Sequence, residues 1–185
     1  MPSATPIGEY QYLDYSQADE LFHLWDARCP AVAAQVAELI QREMPDATVE
    51  HIGSTAVPGC HGKGVVDLLL LYKPGRLGAA RDVLDKLGFQ RQRGLDPFPE
   101  ERPMRVGTID HDGESFRLHV HVLAEDAEEA ATLIGFRDRL RADPDLLATY
   151  VERKRTVIAD GALNNITYNQ GKEALIRSAL GDERA

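Results

Sequence analysis

A chain of 185 residues with 43% hydrophobic side chains has the length of about one domain and enough apolar material for a core of its own. Its 30 acidic against 21 basic residues leave a formal net charge of −9, which argues against a general nucleic-acid or membrane-surface binder, because either needs a concentrated basic face to meet phosphates. The longest aliphatic run, Val65 to Leu71, contains Asp67 and is far too short to cross a bilayer.

In chain order, residues 1–15 mix Pro, Gly, Ser and Tyr without a period and read as a surface arm. No apolar leader follows the start MPSATPIGEYQYLDY, and Cys29 and Cys60 are the only thiols, which fits a reduced cytoplasm. A short helix is expected over Ala18 to Ala27 with Leu21, Leu24 and Trp25 turned inward. From Pro30, Val32, Val36, Leu39, Ile40 and Met44 share one helical face before Pro45. ATVEHI then reads as a strand, a loop runs through Gly53, Pro58, Gly59, Gly62 and Gly64, and VVDLLLLY reads as a buried strand.

Leu77, Ala80, Leu84 and Leu87 repeat at helical spacing, with Gly88 where a helix C-terminus favours glycine. Beyond a Pro- and Arg-rich loop, MRVGTID and SFRLHVHVL flank His111-Asp112-Gly113-Glu114, a signal for a tight antiparallel hairpin. The remainder reads as helical: Glu125 to Leu140, then a helix capped by Asp143 with Pro144 in its first turn, then a last helix ending near Leu180. No repeat or low-complexity linker divides the chain, so residues 1–185 read as one domain, mainly helical over 125–181.

The chemistry gathers around Asp67. Strand alternation sends Asp67, Leu69 and Leu71 to one face and Val66, Leu68 and Leu70 to the other. A carboxylate in so apolar a strand must be paired, hydrogen-bonded or metal-bound, since burying it bare costs several kcal/mol. Gly53 and Ser54 end the preceding strand, where backbone N–H groups and a hydroxyl can converge on a phosphate. The competing reading of that loop is that its glycines merely permit positive φ. Arg117, His119, His121 and Leu123 share one face of the later strand, and His-x-His with a carboxylate is a transition-metal donor set. The alternative is one hydrogen-bonded buried histidine and one that lines a cleft. His51 orients the glycine loop or touches a ligand, Cys60 reads as structural, and Lys63, Arg102, Arg105, Lys154 and Lys172 are cations able to meet an anion.

Twelve residues (55–66) separate Ser54 from Asp67. That spacing resembles the nucleotidyltransferase superfamily, in which a Gly-Ser pair precedes an Asp-x-Asp strand that holds Mg²⁺ on a nucleoside triphosphate. HIGSTAVPGCHGKGVVDLLLLY, RLHVHVL, FRDRLRADPDLLATYVERK and YNQGK together resemble the GrpB family from Val49 to Leu180. The resemblance implies an α+β, nucleotidyltransferase-like fold, a small mixed sheet packed against helices with a C-terminal helical segment, in which the glycine loop and the Asp strand form one wall of a cleft. It places Gly53, Ser54, Lys63, Asp67, His119, His121, Lys154 and Lys172 at recurrent family positions.

One departure from the superfamily pattern bears on activity: Leu69 stands where the second carboxylate of Asp-x-Asp belongs, so the oxygen set for two-metal phosphoryl transfer is incomplete. Three functions follow as expectations. The first is nucleotidyl transfer to a small acceptor, with Asp67 and an imidazole holding Mg²⁺, Mn²⁺ or Zn²⁺, and His51, Gly53, Ser54, Lys63, Arg105, Lys154 and Lys172 toward the phosphates. The second is a non-catalytic module for a nucleotide or other small phosphorylated ligand, in keeping with family members fused to dephospho-CoA kinase. The third is a metal-dependent hydrolase using the His-x-His face.

Overall fold

The structure is a computed structural model and describes residues 6–94 and 97–161. Helix α1 (Ala18–Leu21) precedes α2 (Cys29–Glu43), which starts on Pro30 and buries Val32, Val36 and Ile40 completely, as their spacing requires. Strand β1 (Thr48–Ile52) leads through a short 3₁₀ turn, Ser54–Ala56, to β2 (Val66–Tyr72). Helix α3 (Leu77–Leu87) ends at Gly88, whose φ of 101° lets Phe89 N–H return to the Leu84 carbonyl.

A two-residue strand, β3 (Gln90–Arg91), follows; its pairing with β4 (Met104–His111) carries no sequence periodicity and was not expected. β4 and β5 (Glu114–Ala124) are joined by Asp112 and Gly113, both at positive φ (49° and 80°), the geometry of a type I′ hairpin turn.

The five strands are ordered β1-β2-β5-β4-β3, antiparallel except for the parallel β2–β5 pair. Side-chain alternation divides the sheet into two faces. Val66, Leu68 and Leu70 join Leu118, Val120 and Val122 in the main core under α2 and α3. On the opposite face Leu69, Leu71 and Leu123 pack with Ile52 and Ala130 of α4 (Glu128–Ala142). Helix α5 (Pro144–Ala159) is capped by the Asp143 carboxylate, which accepts from the N–H groups of Asp145 and Leu146, and its Tyr150 closes a cluster with Val57, Cys60 and Leu140.

Three expectations are corrected. The helix foreseen over Ala18 to Ala27 stops at Leu21, because the next residues bond to the glycine loop instead of to themselves: His23 exchanges backbone hydrogen bonds with Gly62, and Trp25 N–H reaches the His61 ring. Leu24 is consequently 77% exposed. The N-terminal arm does not simply lie on the surface, since Ile7 and Tyr10 are buried and Gly8 bridges Thr108 of β4. Helix α4 begins three residues later than expected (128 against 125), because Glu125 N–H bonds to the Tyr72 carbonyl at the end of β2. The last helix foreseen near Leu180 lies outside the described residues.

Candidate functional site

Gly53 leaves β1 at φ +71° directly against β2. A Cβ there would lie 2.5 Å from the Asp67 Oδ2, so glycine is required by both the backbone angle and the space. The chain then tightens into the 3₁₀ turn, with Ser54 as its first residue. Across the loop, a Cβ on Gly62 would meet the Ser54 Oγ at 2.9 Å and the Lys154 Nζ at 3.1 Å, so these two polar atoms converge on one bare stretch of backbone.

Asp67 lies in register with His119 on the neighbouring parallel strand. Its Oδ1 is 3.3 Å from His119 Nδ1, and the other ring nitrogen, Nε2, is 2.8 Å from the Tyr10 hydroxyl. The result is a continuous chain from Tyr10 through His119 to Asp67. Burial pushes the Asp67 carboxyl up, but the His119 hydrogen bond and the charges of His119, His121 and Lys63 outweigh it and hold the group at about 2. A quarter of the Asp67 side chain, 25%, stays exposed.

His121 is on the same face, one step further along the strand and in register with Leu69. Its ring stands edge-on to Phe98, and its Nδ1 is buried without a partner among the described residues. Burial, more than the opposed influences of Asp67, His119 and Arg102, brings its pKa down to about 4, so the ring is neutral at neutral pH.

The remaining predicted residues divide. Lys63 donates to the Tyr15 hydroxyl at 3.0 Å and reaches the mouth of a cleft of about 390 Å³, whose lining includes Ser54, Gly62, Trp25 and Arg117. Lys154 is 1% exposed, donates to the His61 carbonyl and to Cys60 Sγ (3.3 Å), and stands over the Tyr150 ring. Burial depresses its pKa, and its contacts make it a brace for the loop. His51 sits opposite Leu68 in the β1–β2 register and bonds the Thr55 hydroxyl at 3.0 Å, so it orients the loop. Burial lowers its pKa to about 4.

Arg105 does not join the site. It pairs with Val120, on the face covered by α2 and α3, and its guanidinium is held by Asp85 (2.8 Å) and Glu100 (3.0 Å). Arg102 is likewise engaged, by Glu129. Lys172 lies outside the described residues. Sequence reasoning missed Tyr10 altogether. It placed Arg117 on the correct strand face without assigning it a role, although that cation lines the cleft two residues before His119.

Among the described residues the donor set does not make a metal centre. Leu69 is completely buried in an apolar cluster where a second carboxylate would be needed, and both ring nitrogens of His119 are already engaged. Among the described residues no group of three His, Cys, Asp or Glu side chains is arranged to hold an ion.

The sheet order, with the glycine turn beside the aspartate strand, gives a fold that resembles nucleotidyltransferase domains. The chain aligns with the Cid1 poly(U) polymerase, solved with MgGTP bound, at a TM-score of 0.50 and 15% identity, over 76% of this chain and 46% of that one. The chain belongs to the GrpB family, described as GrpB protein, which it matches over residues 22–182. It is 33% identical over 162 residues to a UPF0157 protein of Pseudomonas aeruginosa, covering 84% of this chain and 64% of that protein's length. A UPF0157 protein of Vibrio cholerae is 28% identical over 91% of this chain and 82% of its own. The crystal structure of GrpB from Enterococcus faecalis superimposes with a TM-score of 0.65 at 19% identity, over 87% of this chain and 98% of that one. Among the described residues no helix is long and apolar enough to cross a membrane.

Proposed function

We propose that this protein binds a small phosphorylated ligand, a nucleotide by preference, at the Gly53–Ser54 turn, and that it does so without two-metal nucleotidyl transfer. The observation that carries this reading is the cleft that brings the Ser54 hydroxyl together with Lys63 and Arg117. A turn with a free hydroxyl, flanked by two cations, offers an anion charge-assisted hydrogen bonds from several directions. Asp26 and Glu114 also line the cleft and Glu20 stands 3.8 Å from Arg117, so in a chain of net charge −9 the attraction for a phosphate falls to Lys63 and Arg117 themselves.

Nucleotidyl transfer by the two-metal route draws support from the fold, but the apolar burial of Leu69 weighs against it. Titration calorimetry with ATP, UTP, dephospho-coenzyme A and inorganic pyrophosphate tests the proposal. At least one should bind, and Arg117→Ala or Lys63→Ala should each weaken it by about 10- to 100-fold, the worth of one charged hydrogen bond. Absence of binding by all four, or affinity unchanged in both variants, overturns the reading.

A further inference from the structure

The chain from Tyr10 to His119 to Asp67 is more than a cap on the sheet. A nucleophile is recognised structurally by a hydroxyl within hydrogen-bond reach of a base whose other side is oriented by a third group, and tyrosine is among the side chains that serve. Here the hydroxyl-to-imidazole distance is 2.8 Å and the imidazole-to-carboxylate distance is 3.3 Å. With Asp67 ionised, its carboxylate accepts from Nδ1–H of His119, which leaves the lone pair of Nε2 facing the Tyr10 hydroxyl.

Position supports the same reading. The arm is pinned where it must be: Gly8 and Thr108 exchange backbone hydrogen bonds at 2.8 and 3.1 Å, and the Thr108 hydroxyl donates to the Glu9 carbonyl. Tyr10 is buried and does not itself line the cleft, but Gln11, next in the chain, Thr108 and Arg117 do, and the charge of Arg117 opposes the burial that raises the Tyr10 pKa. The Tyr10–His119 hydrogen bond satisfies two half-buried polar groups, and the same contact sets the hydroxyl on an imidazole that is itself aligned on a carboxylate.

We infer that Tyr10 is a nucleophile that accepts a nucleotidyl group from a nucleoside triphosphate held in the adjoining cleft. The inference rests on the nucleotide-binding reading above. The Tyr10 oxygen forms a bond to the α-phosphorus, while the bond from that phosphorus to the bridging oxygen breaks. Pyrophosphate leaves with the electron pair, and the phenolic proton passes to Nε2 of His119. Asp67 is the positioning residue: it fixes the tautomer and stabilises the imidazolium. Lys63 and Arg117 meet the charge on the departing pyrophosphate. The base thus activates the acceptor oxygen directly, which is the task that a metal held by a second carboxylate performs in two-metal sites.

The full chain incubated with each α-³²P-labelled nucleoside triphosphate in Mg²⁺-containing buffer should retain label after denaturation. Intact mass should rise by one nucleoside monophosphate, and peptide mapping should place it on Tyr10. Tyr10→Phe, which keeps the ring packing, should abolish labelling while nucleotide affinity by calorimetry stays within a few-fold. His119→Gln should slow labelling by at least about 100-fold, the usual contribution of a general base. Asp67→Asn should slow it without abolishing nucleotide binding. Wild-type chain that binds nucleotide but takes no label overturns the inference and leaves the binding reading standing. Label that persists in Tyr10→Phe overturns it too, and chain that neither binds nor labels removes both.

Discussion

The two faces of one sheet are made from alternate residues of the same strands, yet they differ in kind. Under α2 and α3, Val66, Leu68, Leu70, Leu118, Val120 and Val122 are each no more than 1% exposed and form one apolar cluster, with the paired Arg105 and the hydrogen-bonded His51 at its margins. On the reverse, Asp67, His119, His121 and Arg117 alternate with them. The reverse face is itself divided: α4 seals the end carrying Leu69, Leu71 and Leu123, while at the other end Asp67 meets the glycine loop and Arg117 lines the cleft. A single step along β2, from Asp67 to Leu69, therefore crosses from site to core. The lesson is that the lost second carboxylate is not a vacancy in an active site but part of a packed interior.

Rebuilding that carboxylate is the hardest blow to the comparison. Leu69→Asp should restore the Asp-x-Asp spacing, yet it removes a fully buried leucine and places a charge among Ile52, Leu71, Leu123 and Ala130. Loss of the apolar side chain costs about 2–5 kcal/mol and the unpaired buried charge several more, comparable to the whole stability of a domain. Urea titration should find the variant largely unfolded; a folded, Mg²⁺-binding Leu69→Asp protein would show that the sealed end is as permissive as the open one.

Acid tests the buried histidines next. The titratable groups of the site face are His119, His121 and Asp67, with Tyr10, Phe98, Arg102 and Glu129 around the histidines. His121 has its pKa lowered from 6.5 to about 4, as does His51 beside the glycine loop, so between those values the unfolded chain binds the extra protons and stability falls as pH falls. Asp67, lowered from 3.8 to about 2, adds a loss of the same sign only below about pH 4. The His121 contribution amounts to about 3 kcal/mol across its window. Urea midpoints at pH 7, 5.5 and 4 should drop progressively in the wild type and less in His121→Gln; equal slopes would remove His121 from the account.

The smallest effect calibrates the other two, because it touches neither face. Asp143→Ala deletes two hydrogen bonds at the start of α5 and should cost about 1 kcal/mol, with unchanged acid sensitivity. A larger loss accompanied by weaker nucleotide binding would show that α5, through Lys154 and the His61 carbonyl, transmits strain to the loop.

Much of this was legible in the sequence, for local reasons. Val32, Val36 and Ile40 announced their helix by spacing, Asp112-Gly113 announced the hairpin, and Asp143-Pro144 announced the start of α5. Alternation alone put Asp67 and Leu69 on one face, and the two histidines on another that the parallel pairing made the same. Arg105 could also have been excluded, since counting back from the hairpin turn sets it opposite Val120 on the core side. What escaped depends on distance along the chain. Tyr10 meets His119 across 109 positions, and no pattern in EYQYLDY signals that its first ring turns inward. The shortened α1 escaped for a similar reason, because its competitor for backbone hydrogen bonds is the loop at Gly62, not its own next turn.

The parallel β2–β5 pair also sets an order of assembly. β4 and β5 need close only a two-residue turn, the kind of event that takes about 1–10 μs, whereas Asp67 must reach His119 across 52 positions (119 − 67). Loop-closure entropy must be met before such remote contacts stabilise anything, so the hairpin forms early and the Tyr10–His119–Asp67 chain is among the last features in place. A nascent or partly unfolded chain then carries a recognisable hairpin while Tyr10, His119 and Asp67 are still apart.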